Sequence, residues 1–86
     1  MPAVECFEDL ANLSDDEMTA VLREADQKDV VIALKGGSEA VKGKMLGFMS
    51  ERVRTFILEE MEFLGDVSLE QIEDAQKVIV DIAKTI

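Results

Sequence analysis

The amino-acid sequence predicts an all-α fold, a compact bundle of about six short helices forming one domain over residues 1–86. Three observations predict it. Apolar residues recur at spacings of three and four along most of the chain, the period of one helix face. Serines stand directly ahead of four of these stretches, where their hydroxyls can accept from first-turn amides that lack a helical partner. The only proline is Pro2, so no helix beyond it is interrupted.

The first helix is expected over about residues 3–12, with Phe7, Leu10 and Leu13 at helical spacing. Ser14-Asp15-Asp16-Glu17 has the form of a capping box and opens a second helix, about 15–24, with Met18, Val21 and Leu22 on its apolar stripe. Asp26 is the expected cap of a third helix, about 27–35, which ends at Gly36-Gly37 because a left-handed C-terminal cap favours glycine. Its unbroken apolar run, Val30 to Leu34, reads as a buried strand as readily as a helix. A lone strand would have nothing to pair with and helices surround it, so a helix is expected.

Ser38 caps the fourth helix, about 39–48, carrying Val41, Met45 and Phe48. Ser50 caps the fifth, about 51–64, whose apolar positions are Val53, Phe56, Ile57, Met61 and Leu64. Gly65 stops it. Ser68-Leu69-Glu70-Gln71 forms a second capping box and starts the sixth helix, where Ile72, Ala75, Ile79, Ile82 and Ile86 make a narrow stripe.

Composition excludes several classes of function. The formal net charge is −10, which argues against nucleic acid, whose phosphates require a basic surface, and against anionic membrane surfaces. It favours basic protein partners through long-range attraction. No apolar run approaches the roughly 18–20 residues of a membrane span, and no basic-then-apolar leader opens the chain. A cytoplasmic location without direct membrane insertion is therefore expected. The single cysteine, Cys6, has no internal disulfide partner and is expected to be a small, half-buried hydrophobe.

Catalytic and metal chemistry has few carriers. Histidine is absent, which removes the commonest general base and nitrogen ligand. One cysteine and no histidine exclude the usual zinc sites, and no calcium-loop pattern is present. Ser14, Ser38, Ser50 and Ser68 all stand where helix caps belong, not nucleophiles. Lys35-Gly36-Gly37-Ser38 leads into a helix, but it lacks P-loop spacing and Glu39 would repel phosphate. Glu59, Glu60 and Glu62 form an acidic cluster, which on an amphipathic helix is normally a solvated face. No cofactor is expected and the reading is a protein-binding module, not an enzyme. Arg52, Thr55, Glu59 and Glu62 are spaced by three, four and three, so they line one face of the fifth helix as a charged ridge.

An ordered series of segments resembles the C-terminal subdomain of the flagellar motor switch protein FliG. Cys6-Phe7-Glu8-Asp9-Leu10 resembles the start of that subdomain, and Val21-Leu22-Arg23-Glu24-Ala25-Asp26 its Leu-Arg-Glu-Val-Asp stretch. Ala33-Leu34-Lys35-Gly36 with Ser38-Glu39 is similar to its Ala-Leu-Lys-Gly-Ala-Ser-Glu segment. Met49-Ser50-Glu51-Arg52, Glu59-Glu60-Met61, Gly65-Asp66-Val67 and Glu73-Asp74-Ala75-Gln76-Lys77 follow at the family's spacing.

The resemblance implies a six-helix rotor module at the cytoplasmic face of the flagellar basal body. One charged helix there would meet the cytoplasmic loop of the stator protein MotA to generate torque and set rotation direction. FliM and the rest of FliG would be its neighbours. The implied stator-binding residues are Lys35, Arg52, Glu59 and Glu60, with Glu62 and Ser68 as additional ridge positions. Where the family has Gly-Pro-Val-Arg this chain has Gly65-Asp66-Val67-Ser68, which loses a cation. Two alternatives stay open: the acidic regulatory domain of an MgtE-type magnesium channel, and a stand-alone adaptor using the same fold.

Overall fold

The computed structural model describes residues 4–86. A 3-10 helix over Phe7–Asn12 is followed by α1 (Asp15–Glu24), α2 (Gln27–Lys35), α3 (Glu39–Gly47), α4 (Glu51–Leu64) and α5 (Leu69–Thr85). The expected all-α order of six helices is thus present, and Val30 to Leu34 is helical.

The first element differs from expectation. It is 3-10 rather than α, and the start expected at residue 3 lies outside the described residues. The physical reason is a period of three. Val4, Phe7, Leu10 and Leu13 are all buried, and three residues per turn stacks them in one column. Cys6 is exposed, not half-buried, because it occupies the N-cap of this helix. The Asp9 carboxylate turns back to accept from the amides of Glu5 at 2.9 Å and Cys6 at 3.1 Å.

The serine caps form as expected. Ser14, Ser38, Ser50 and Ser68 accept from the amides of Glu17, Val41, Val53 and Gln71. The boxes close when the side chains of Glu17 and Gln71 accept in return from the amides of Ser14 and Ser68. Asp26 occupies the N-cap of α2 but makes no side-chain cap hydrogen bond.

The core gathers Leu10, Met18, Val21, Leu34, Val41, Met45, Ile57 and Ile79, all fully buried. α2 is the hub, packing against both α5 and α4. Its C-terminal end is fixed from α5, where Gln76 Nε2 donates to the Ala33 carbonyl at 3.0 Å. Gly36 ends the helix at φ −107°, so a left-handed cap is not what it supplies. A side chain there would collide with the Ile72 Cγ2 methyl of α5. The left-handed glycine is Gly65, at φ +67°, where α4 stops.

Two apolar stripes differ from expectation. On α5, Val80 and Ala83 are buried beside Ala75 and Ile79, while Ile72 and Ile82 are half-buried and Ile86 is exposed. The buried face is wider than a single stripe because α5 meets α1, α2 and the 3-10 helix together. On α3, Phe48 is exposed just past the helix end.

Candidate functional site

α4 exists as a separate rod because Ser50 starts it, Gly65 stops it, and fourteen residues between them carry no breaker. It packs mainly on α2. One partner covers only a narrow sector of a helix, so Ile57 is its one buried residue, with Val53 and Met61 partly covered. Phe56 and Leu64, expected in the stripe, are 45% and 40% exposed.

The outward face carries Arg52, Thr55, Glu59 and Glu62, all exposed, as their spacing requires. Glu60 is exposed beside them. Two ion pairs occur among the described residues, Lys42–Glu39 and Lys77–Asp81, and neither involves α4. The charges of the ridge are therefore solvated and free of partners within this set.

Lys35 is placed differently. It is half-buried at the end of α2, and its Nζ donates to the Met61 carbonyl at 3.1 Å, in the last turn of α4. Its charge sits at the negative end of the α4 dipole, not on the ridge itself. Ser68 is exposed, and its hydroxyl is engaged in the α5 capping box. Arg52, Glu59, Glu60 and Glu62 thus share one helix, whereas Lys35 and Ser68 belong to its supports.

Sequence reasoning missed the aromatic part of this surface. Phe63 is 89% exposed. It lies four residues after Glu59 and three after Glu60, and Phe56 lies three and four before them. Residues at those spacings are neighbours on a helix surface, so two phenylalanines bracket the acidic pair. Between α4 and α2 runs a groove of about 400 Å³, lined on its apolar side by Val31, Ile32, Phe56, Phe63 and Leu64. Lys28 and Glu60 stand on its walls.

Among the described residues no cluster of three His, Cys, Asp or Glu side chains could hold a metal, and no helix is long and apolar enough to cross a membrane. The arrangement can bind by charge and apolar contact.

Residues 3–86 match the sequence pattern of the FliG C-terminal domain. The chain belongs to the FliG C-terminal domain family. Flagellar motor switch protein FliG of Thermotoga maritima is 40% identical to it over 78 residues, 91% of this chain and 23% of that protein. FliG of Bacillus subtilis is 38% identical over the same share of the chain. A crystallised fragment of H. pylori FliG superposes with a TM-score of 0.91 at 33% identity, covering 94% of this chain and 36% of that one. Full-length FliG of Aquifex aeolicus gives 0.90 at 40% identity, covering 94% of this chain and 25% of that one. The chain therefore spans about a quarter of the length of its curated FliG relatives. Those relatives are flagellar motor switch proteins.

Proposed function

We propose that this chain is a rotor-side protein-binding module of the flagellar motor switch, acting as one domain over residues 1–86. Its α4 ridge would meet the cytoplasmic loop of the stator protein MotA, generate torque and set rotation direction. The place of action would be the cytoplasmic face of the basal body, with FliM and the rest of FliG as neighbours. The observation that carries this reading is a ridge of exposed charges, Arg52, Glu59, Glu60 and Glu62, without ion-pair partners among the described residues, on the least covered helix of a FliG-family domain.

The chemistry suits a contact made and broken repeatedly. Exposed charge pairs contribute about 0–1 kcal/mol each and are screened beyond about 8–10 Å at physiological salt. A few such pairs attract and orient a passing loop without holding it. Lys35 contributes indirectly, by holding the end of α4 at Met61. Family membership over residues 3–86 favours this reading over a magnesium-channel domain.

The test is the double reversal Glu59→Lys with Glu60→Lys, in cells whose motors use this chain. Swimming is lost while the purified domain keeps its helical circular dichroism and motors still assemble. Normal swimming by the double variant would falsify the proposal.

A further inference from the structure

We propose that the groove between α2 and α4 is a self-association surface, at which two copies of this chain meet about a two-fold axis and each covers the apolar groove of the other. This does not depend on the stator reading, because it needs no partner other than the chain itself.

The groove stands apart from the charge of the rest of the chain. Its lining holds one cation, Lys28 on the α2 wall, and one anion, Glu60 on the α4 wall, and is otherwise uncharged. The whole chain, by contrast, stands at −10. At about 100° per residue, Phe56, Glu60 and Phe63 fall in a sector of α4 about 60° wide, and Glu59 and Glu62 fall outside it. Apolar surface fills that sector. Phe63 is almost wholly in water and Phe56 nearly half so, beside Val31 and Ile32 of α2. The single chain leaves this apolar surface hydrated, and a second body closing over the groove would remove it from water.

The two wall charges select a second copy as that body. A two-fold axis sets residue i of one copy against residue j of the other, and j against i. Lys28 of each copy then faces Glu60 of the other, so the one cation and the one anion are both answered. Neither belongs to the ion pairs found among the described residues, Lys42–Glu39 and Lys77–Asp81. A uniformly basic occupant would set like charge against Lys28, and a uniformly acidic one would do the same to Glu60. The contact is small. The faces of α4 and α2 are about 21 and 14 Å long and about 10 Å wide, which together cover less than the roughly 600 Å² per partner of stable complexes. The net charge of −10 on each copy opposes association as well, and outweighs two local pairs. The dimer is therefore weak, forms where the chain is concentrated, and is strengthened by salt, which screens that repulsion.

The experiment is analytical ultracentrifugation of the chain from about 10 μM to about 1 mM, at low and at high salt. A monomer–dimer equilibrium should appear in the upper part of that range and move toward dimer as salt rises. Phe63→Ala removes an exposed side chain, should keep the helical circular dichroism, and should weaken the dimer about tenfold or more. Lys28→Glu and Glu60→Lys should each weaken it severalfold, although the second makes the chain less negative. An equimolar mixture of those two variants should associate again, because each then offers the charges that the other lacks. The proposal is overturned if the chain stays monomeric to about 1 mM, which would leave the groove to a different partner. It is overturned equally if salt weakens the association, if Phe63→Ala dimerises unchanged, or if the mixture associates no better than either variant alone.

Discussion

Lys35 Nζ donates to the main-chain carbonyl of Met61 at 3.1 Å, joining the end of α2 to the last turn of α4. Met61 is the first of the four terminal carbonyls that have no acceptor role inside the helix. α4 has no basic residue of its own in that turn, so a neighbouring helix supplies the cation. Replacement of Lys35 by Met should cost about 1 kcal/mol of stability. The loss should be local: amide exchange should quicken in the last turns of α4 and stay slow in α5. Unchanged exchange in α4 would show that the contact does not restrain it.

Gly36 and Ile72 predict a strong coupling. Any Cβ at position 36 meets the Ile72 methyl, which is stiff because it branches at Cβ. Gly36→Ala should destabilise the fold by about 1–3 kcal/mol, the usual range for overpacking. Adding Ile72→Ala should return part of that loss, which a double-mutant cycle by urea denaturation would measure. Strict additivity of the two changes would count against the clash.

The capping carboxylates set a direction for acid stability. The Asp9 carboxyl is held below its ordinary range, first by the amide of Glu5 and then by that of Cys6. The Glu17 carboxyl is lowered by the Ser14 amide, then by the Ser14 hydroxyl. A folded-state pKa below the unfolded one means that the unfolded chain binds protons more readily. The stabilisation is therefore full above the ordinary carboxylate range and is lost as pH falls through the lowered folded values. Melting temperature against pH should show this decline, and Glu17→Gln with Asp9→Asn should flatten it.

Ser68 stands where the sequence resemblance implies an arginine, and here it caps α5. Ser68→Arg should cost about 1 kcal/mol through loss of the cap, by thermal or chemical denaturation. Ser68→Asp should keep most of the stability, since a carboxylate caps equally well. Equal stability of both variants would mean that the Gln71 side of the box suffices.

The helix starts were legible because a cap is a local device: a serine and the residue three later decide it, as at Ser14 and Ser68. The outward charges were legible for a similar reason, since spacing alone puts Arg52, Glu59 and Glu62 on one face. Periodicity does not say how many neighbours a helix has. Phe56 fits a core stripe in sequence, but α4 leans mainly on α2 and its aromatic flank stays largely in water. In sequence Gly36 suggests a backbone need, but the cause is Ile72 from a helix thirty-six residues away in the chain. The period of three in Val4, Phe7, Leu10 and Leu13 was visible and marks a 3-10 helix, but three of those spacings also fit one side of an α-helix.

The narrow seat of α4 has a mechanical meaning. Ile57 is the one buried bearing near its middle, and the Lys35 contact restrains its far end. Beneath it, α2 is braced against α5 through Gln76 and the tight fit at Gly36. With Ile57 and the Lys35 contact holding its second half, the N-terminal turns of α4 are its least restrained part. Elements with little buried contact are the ones that yield first. A load applied to α4 should thus be taken up outside the core.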